Sequence, residues 1–244
     1  METETPRRII AKIGTDALVN PDYTLKSYIL ENIAKDVSRL NKEDEIIIVT
    51  SGAVACGKRR RRLGGNGGIE MKQVHAAVGQ PKLMQAYDEA FSKYGLEVGQ
   101  LLLTKEDLFN PDRFREIEIT YQNMRGLAVP IVNENDTICT TELFGDNDKL
   151  SLQLLRKFDF RTLINFTQRG ALIKNGAPQK GSNHYNYQWY DNLGQSENGT
   201  GGLDSKLECA KEAVEAGKNY YIAKAGDSIF DVLSEASVST RFYI

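Results

Sequence analysis

Residues 45–55, with the sequence EIIIVTSGAVA, join a short apolar run to a stretch of small residues through Thr50, Ser51 and Gly52. The apolar run suits a buried strand of a parallel sheet, and the small residues suit the first turn of a helix. A junction of this kind presents helix N–H groups and the positive end of a helix dipole, which favour a carboxylate or a phosphate. Ser51 is therefore a candidate binding residue, although it could equally be a helix N-cap.

The same pattern of apolar runs and helix-like segments repeats along the chain. Residues 24–40 and 70–94 have apolar residues at helical spacing, and Pro111 suits the first turn of another helix. This alternation predicts an α/β domain with a mainly parallel sheet. The predicted strands are residues 8–13, 45–50, 97–103, 129–132, 162–166 and 219–223.

The composition excludes several classes of protein. The 244 residues include 31 Lys and Arg against 33 Asp and Glu, so the net charge of −2 offers no field that would attract nucleic acid or anionic lipid. The N-terminal sequence METETPRR is charged, and too few apolar residues follow it for a secretory signal or a membrane span. We therefore predict a cytoplasmic protein with no nucleic-acid or membrane partner.

The three cysteines do not suggest a metal site. Cys56, Cys139 and Cys209 lie far apart, have no CxxC spacing, and are accompanied by only two histidines, His75 and His184. The sequence favours buried or bystander thiols and predicts no metal ligands.

Two segments interrupt the α/β pattern. Residues 58–62, KRRRR, precede GGNGG and are typical of a helix end that runs into a flexible loop, although a basic run can also bind phosphates or act as an import signal. Residues 174–199 are rich in Gly, Asn, Gln, Ser and Tyr and have almost no aliphatic side chains. We predict that this second segment is a mobile lid or surface loop without a normal core element.

Two motifs could bind phosphate. Lys12, Gly14 and Thr15 close the first strand, where backbone N–H groups and an ammonium could approach a phosphate. The alternative is a Lys that extends to solvent beside an ordinary turn. Residues 199–206, GTGGLDSK, place glycines before an amphipathic helix with Lys206 one turn inside it, unless they are only a flexible linker. The spacing GxxxxGK[ST] is absent, so the motif is not a P-loop.

A cluster of polar residues follows the predicted strand at 129–132. Residues 133–136, NEND, and 145–148, GDND, supply the mixture of donors and acceptors that an amino-acid ammonium and carboxylate require. Asp148 also lies where it could orient a Lys. Simple helix capping by Asp146 or Asp148 is the competing interpretation.

These motifs, with the sequence between them, resemble the glutamate-phosphorylating branch of the amino-acid kinase family. The most specific parts are AKIGT, VTSGAVACG, KQVHAAVGQPKLMQAYDEAFSKYGLEVGQLLLTKEDL, VPIVNENDT, FGDND and GTGGLDSKLECAKEAVEAG. The resemblance implies a three-layer α/β/α sandwich in one domain, with residues 1–149 mainly binding the acceptor and residues 150–244 mainly binding the nucleotide. It also implies phosphoryl transfer from ATP, with Mg²⁺ brought by the nucleotide, to the γ-carboxylate of L-glutamate on the route to proline.

The resemblance also implies a role for individual residues. Lys12, Asp148 and Lys206 would carry out the transfer, and Ser51, Asp136 and Asn147 would bind glutamate. Self-association and feedback inhibition by proline are further expectations from the family. The implied nucleotide-binding residues are Lys12, Gly14, Phe166, Thr167, Thr200, Gly201, Gly202, Leu203, Asp204, Ser205 and Lys206.

The sequence departs from the family pattern in two places. The family has Leu-Thr-Asp where this chain has Asn165, Phe166 and Thr167, so the expected acid is missing from the nucleotide pocket. Many relatives continue into a C-terminal PUA domain, whereas this sequence ends at Ile244, and we expect no function that depends on that domain. Three hypotheses follow: an ATP-dependent glutamate kinase, a kinase of the same fold with another carboxylate or phosphate acceptor, and a regulatory pseudokinase.

Overall fold

A computed structural model of the chain describes residues 5–59, 68–138, 147–191 and 202–243. Within these ranges, eight strands form one sheet in the order β3-β4-β2-β1-β5-β9-β10-β8. Neighbouring strands run parallel except for β9 and β10, which are antiparallel. The strands are β1 (Arg8–Ile13), β2 (Glu45–Val49), β3 (Val98–Leu103), β4 (Val129–Glu134), β5 (Thr162–Thr167), β6 (Ile173–Lys174), β7 (Ala177–Pro178), β8 (Gly181–Ser182), β9 (Asn219–Lys224) and β10 (Thr240–Phe242).

Helices cover both faces of this sheet, so the predicted three-layer α/β/α sandwich is confirmed. Side chains alternate along β1, where Ile9, Ala11 and Ile13 belong to one core and Ile10 belongs to the other. The helices are α1 (Thr15–Leu18), α2 (Ser27–Val37), α3 (Ala53–Lys58), α4 (Ile69–Ser92), α5 (Lys105–Phe109), α6 (Pro111–Met124), α7 (Asn147–Lys157), α8 (Leu203–Glu215) and α9 (Ile229–Leu233).

The six predicted strands are all present: β1 has the predicted bounds, and each of the other five has an end that differs by one or two residues. Pro111 begins α6 as predicted, and the Asn110 side chain caps that helix by accepting hydrogen bonds from the backbone N–H groups of Asp112 and Arg113. The predicted helix at 24–40 is shorter, because residues before Ser27 form a turn in which Asp22 accepts a hydrogen bond from the Thr24 backbone.

The prediction that residues 174–199 contain no normal core element is wrong in the part that the structure describes. Gly181–Ser182 pairs with β10 and forms the edge strand β8 of the main sheet. Tyr190 is 1% exposed and belongs to the core beside α8, and its hydroxyl donates to the His184 carbonyl at 2.7 Å. An aromatic side chain therefore supplies the burial that aliphatic residues supply elsewhere. Residues 192–199 lie outside the described residues.

Cys56 and Cys209 are buried, as predicted, and Cys139 lies outside the described residues. The helix α3 ends at Lys58, which agrees with the predicted helix end, while residues 60–62 also lie outside the described part. In the four described ranges, no helix combines the length and the apolar character that crossing a bilayer would require.

Helices α3 and α4 cross at a very short distance, because Gly57 of α3 faces the backbone of α4 and Gly79 of α4 faces the backbone of α3. A Cβ on Gly57 would lie 1.9 Å from the His75 carbonyl oxygen, and one on Gly79 would lie 1.8 Å from the Ala53 carbonyl oxygen. No other residue fits at either position without moving a helix. The crossing fixes α3, and with it the Thr50–Gly52 junction, against α4.

Candidate active site

The strand order places a crevice at the carboxyl edge of the sheet. From β1 the chain continues to β2 on one side, and later to β5 on the other, so β1 lies where the connections change direction. Ligands of open α/β sheets bind at such a point. Helix α7 begins here, and its first two residues, Asn147 and Asp148, contact different groups of side chains.

Asp148 holds two lysines from distant parts of the chain. It is fully buried, and its carboxylate forms ion pairs with Lys12 of β1 and with Lys206 of α8, the second at 2.9 Å. Lys12 is 4% exposed, so the interpretation of Lys12 as a side chain that extends to solvent is wrong. These three residues, which we call the ion triad, carry one net positive charge in a site of low exposure. The structure thus brings together the three residues expected to carry out the transfer.

The ion triad keeps Asp148 ionised. Burial alone would raise the pKa of Asp148, but Lys12 and Lys206 together outweigh burial and lower it well below its usual range. Asn165 of β5 adds a hydrogen bond from Nδ2 to Asp148 Oδ1 at 2.6 Å. The same nitrogen lies 3.0 Å from the Tyr220 hydroxyl on β9. Asn165 therefore orients the carboxylate from the side opposite to solvent.

Asn147 belongs to a second group, in which every member is neutral. Its Nδ2 donates to Ser51 Oγ at 2.9 Å and to Asn133 Oδ1 at 3.1 Å. Asn133 in turn donates through Nδ2 to Gln80 Oε1 on α4 at 3.0 Å. We call Ser51, Gln80, Asn133 and Asn147 the amide network. Because Ser51 Oγ accepts from Asn147, its hydroxyl hydrogen is directed elsewhere and can donate to a ligand.

The alternative role of Ser51 as a helix N-cap is wrong. The N-cap of α3 is Gly52, which has a φ of +105°, and a Cβ there would lie 3.1 Å from Val19 Cγ2. Thr50 is fully buried, and its hydroxyl accepts a hydrogen bond from Tyr87 of α4 at 2.9 Å. The left-handed glycine and the Tyr87 contact therefore hold Ser51 at the sheet edge.

Asp136 is the predicted acceptor-binding residue with an unusual environment. It lies in the turn after β4 and is partly buried. Burial raises the pKa of Asp136 to about 6, and Lys72 on α4 opposes this shift. A carboxylate that is poorly solvated in this way gains much from a cationic partner, such as the ammonium of an amino acid.

Gly14 and Phe166, two of the residues predicted to bind the nucleotide, lie next to Lys12 of the ion triad. A Cβ on Gly14 would lie 3.9 Å from Lys12 Nζ, and the Gly14 N–H donates to the Phe166 carbonyl at 3.2 Å. That bond occupies the Gly14 N–H, so Gly14 can serve a phosphate through its lack of a side chain rather than through its amide. The Phe166 ring is 1% exposed and packs in the core, which leaves only its backbone for a ligand.

Thr167 forms a local turn at the end of β5. Its hydroxyl accepts a hydrogen bond from the Gly170 backbone at 2.9 Å. Gly202 caps α8 without a side chain, and its carbonyl lies 3.4 Å from Lys206 Nζ. Leu203 packs against the core, Asp204 is exposed, and Ser205 is partly buried. Thr200, Gly201 and Asp146 lie outside the described residues.

Three residues of the site were not assigned by sequence reasoning. Asn165 stands inside the apolar run TLINFT, where a lone amide is a signal that it has a partner. Asn133 was part of the polar cluster after β4 but had no role of its own. Gln80 lies on a helix, and its contact with Asn133 joins segments 53 residues apart, which no local pattern shows.

Comparisons with known proteins identify the family of this chain. The family model described as "Amino acid kinase family" matches residues 7–224. The chain belongs to the amino acid kinase family. Among curated proteins, "Glutamate 5-kinase" of Citrifermentans bemidjiense is 35% identical over 238 residues, which cover 86% of this chain and 60% of that protein. "Glutamate 5-kinase" of Clostridium acetobutylicum is 34% identical over 96% of this chain and 94% of that protein.

Solved structures share the fold of this amino acid kinase at low sequence identity. UMP kinase from Ureaplasma parvum has a TM-score of 0.65 at 13% identity and covers 98% of this chain and 100% of that chain. Carbamate kinase from Giardia lamblia bound to AMP-PNP also has a TM-score of 0.65, at 12% identity, and covers 99% of each chain. The chain spans about 60% of the length of the first curated relatives that it matches.

Proposed function

We propose that this chain is a glutamate 5-kinase, an ATP:L-glutamate 5-phosphotransferase that forms L-glutamyl 5-phosphate, the first step towards proline. One observation carries the proposal: the ion triad and the amide network meet at consecutive residues of α7, Asn147 and Asp148. The first group can stabilise phosphoryl transfer, and the second can bind an amino acid. The names of the curated relatives support glutamate as the acceptor.

In the transfer step, a γ-carboxylate oxygen of glutamate forms a bond to the γ-phosphorus of ATP while the bond to the leaving ADP oxygen breaks. The carboxylate is ionised near neutral pH, so the reaction needs no general base. Lys12 and Lys206 would flank the transferred group and offset the negative charge on its oxygens. Asp148 would act as a positioning residue, because it holds both ammonium groups in one place.

Mg²⁺ would enter with the nucleotide, where it would neutralise phosphate charge. In the described ranges, no three residues among His, Cys, Asp and Glu are grouped so that they could hold a metal ion. The residues of the ion triad fit this arrangement, since their cationic groups suit phosphate oxygens and leave the metal to the nucleotide.

The acceptor would bind at the amide network. The Ser51 hydroxyl would bind a carboxylate oxygen, and Asp136 would pair with the ammonium. Asn147, whose two amide hydrogens bond Ser51 and Asn133, would hold Ser51 in place and offer Oδ1 to the ammonium. We assign residues 1–149 mainly to this acceptor lobe and residues 150–244 mainly to the nucleotide lobe. The Phe166 backbone, Thr167 and residues 200–206 of the nucleotide lobe would surround ATP, together with Lys12 and Gly14 at the end of β1.

Further properties belong to the same proposal. Proline, which shares a carboxylate and an ammonium with glutamate, would compete for the amide network and Asp136 as a feedback inhibitor. We also propose a cytoplasmic location and self-association, as the family resemblance implies.

An acceptor panel tests the proposed function. ATP consumption would be measured with L-glutamate, L-aspartate, N-acetyl-L-glutamate, UMP and carbamate, and hydroxylamine would trap the acyl phosphate as a hydroxamate. We expect ADP and hydroxamate to form in equal amounts with L-glutamate and turnover with the other acceptors to be much slower. Faster turnover of another acceptor would support a related kinase, and no turnover with any would support a pseudokinase.

A further inference from the structure

Gln80 has a buried donor that the contacts of the protein leave unused. Its side chain lies on α4, and the residue is 8% exposed. Oε1 accepts a hydrogen bond from Asn133 Nδ2 at 3.0 Å, whereas Nε2 is buried and has no hydrogen-bond partner in the described part of the chain. A buried amide N–H group is unfavourable unless it finds an acceptor, so this nitrogen suits a ligand.

The orientation of the Gln80 amide follows from a backbone group that can only donate. The Glu134 N–H donates to Asn133 Oδ1 at 2.9 Å, which identifies that atom as the oxygen. The other Asn133 atom is therefore the nitrogen, and it must meet an oxygen of Gln80. If Oε1 and Nε2 of Gln80 were exchanged, the Gln80 nitrogen would face the Asn133 nitrogen, and two N–H donors would meet. Nε2 is thus the atom that points away from Asn133.

The face of α4 that carries Gln80 lies against the carboxyl ends of two strands. Tyr87, two turns further along this helix, contacts Thr50 after β2, and Gln80 itself contacts Asn133 in β4. Asn133 also binds Asn147, which contacts Ser51. Gln80 therefore adjoins the residues to which the proposed function assigns the acceptor.

We propose that Gln80 is a further acceptor-binding residue, whose Nε2 donates a hydrogen bond to the α-carboxylate of the bound amino acid. The inference rests on the proposed function. The reacting γ-carboxylate has to lie beside Lys12 and Lys206, on the Asp148 side of α7. Gln80 is connected to the opposite side, through Asn133 and Asn147, so the carboxylate within its reach is the one that does not react.

The substitution Gln80→Glu isolates the donor. The new side chain keeps an oxygen for Asn133 and replaces the Nε2 donor with a second oxygen, which would repel a carboxylate. We expect the KM for L-glutamate to rise at least about tenfold, while kcat and the KM for ATP change less than about threefold. Gln85→Glu, the same change at an exposed position of α4, is the matched control and should leave all three values unchanged.

A second acceptor distinguishes a ligand contact from a structural role. The compound 4-aminobutyrate is L-glutamate without its α-carboxylate, and its affinity would be measured as an inhibition constant against L-glutamate in wild type and in Gln80→Glu. We expect the variant to reduce the affinity for L-glutamate at least about tenfold and the affinity for 4-aminobutyrate less than about twofold. Gln80→Met, which removes the donor without adding charge, gives the same comparison if Gln80→Glu does not fold.

The inference would be overturned, and the proposed function left intact, if the affinities for both compounds fell by the same factor or if the KM for L-glutamate did not change. A wild-type protein that neither phosphorylates nor binds L-glutamate would overturn the proposed function, and the inference with it. Thermal unfolding with and without about 10 mM L-glutamate, roughly tenfold above the upper end of typical KM values, reports binding without turnover.

Discussion

The amide network and the ion triad meet in the first turn of α7, at Asn147 and Asp148, yet they differ in charge and in the interactions that hold them together. The amide network is neutral, and its order comes from directional hydrogen bonds among Ser51, Gln80, Asn133 and Asn147. The ion triad is charged, and a buried carboxylate holds two ammonium groups. An amino-acid acceptor carries its own charges before the reaction, and directional hydrogen bonds can orient it. The negative charge that develops on the transferred phosphoryl group is instead stabilised by cations that are already in place.

The two groups should therefore respond differently to substitution. Removing one member of a buried ion pair leaves an uncompensated charge, which is costly and changes the environment of the remaining members. Removing one member of a neutral network costs less and acts mainly on the ligand that completes it. Loss of the ion triad should lower kcat, and loss of the amide network should raise the KM for the acceptor.

Lys206→Ala should have the largest effect. It removes one of the two cations that stabilise the transferred group, so kcat should fall by about 100-fold or more while the KM for L-glutamate changes little. Lys211→Ala on the same helix removes an exposed Lys whose partner Glu215 is 3.9 Å away, and it should have no effect. Steady-state kinetics of both variants provide the measurement. Normal turnover in folded Lys206→Ala would exclude Lys206 from the transfer.

Asp136 should produce a pH dependence that belongs to the acceptor side alone. Because burial raises the pKa of Asp136 to about 6, the ionised form that pairs with an ammonium declines below this pH. The value of kcat/KM for L-glutamate should then fall about tenfold per pH unit below 6. Asp136→Asn should raise the KM for L-glutamate about tenfold or more at pH 8 and should abolish this pH dependence. The KM for ATP should be unaffected.

The sign of the stability effect follows from the same pKa. A carboxyl whose pKa is raised by folding favours the folded state in its protonated form, so the ionised form opposes folding above pH 6. Asp136→Asn should therefore unfold at the same temperature as the wild type or at a higher one at pH 8. A large drop in unfolding temperature would show that Asp136 is a structural residue.

Thr167→Asp should have the smallest effect and should act on the nucleotide. One carboxylate oxygen can accept the Gly170 N–H in place of the Thr167 hydroxyl, and the other would be available to ATP. We expect activity to persist and the KM for ATP, or the ratio of the ATP and GTP values, to change by about fivefold, or about 1 kcal/mol. If both nucleotide values and their ratio are unchanged, Thr167 does not face the nucleotide.

The sequence predicts the fold well where the signal is local. Strand β1 has the predicted bounds because its apolar run is closed on both sides by polar or glycine residues, and Pro111 marks the start of α6. Helix α2 is shorter than predicted because Asp22 and Thr24 form a turn that helical periodicity does not show. The burial of Tyr190 was missed because the prediction counted only aliphatic residues.

The site is predictable only in part for a related reason. Family resemblance suggested Lys12, Asp148 and Lys206, but the contacts that join them come from segments 136 and 58 residues apart. Asn165 and Gln80 gain their roles from partners on other elements, Asp148 and Asn133. Such pairings depend on strand order and on the close crossing of α3 and α4, neither of which a local pattern specifies.

The most direct test of this division compares the two neighbouring residues of α7. Asn147→Ala should raise the KM for L-glutamate at least about tenfold and keep kcat within about fivefold, whereas Asp148→Asn should lower kcat about 100-fold or more with little change in that KM. Both variants would be assayed by hydroxamate formation with ATP and L-glutamate. If the two substitutions change the same kinetic parameter by similar factors, the amide network and the ion triad do not have separate roles.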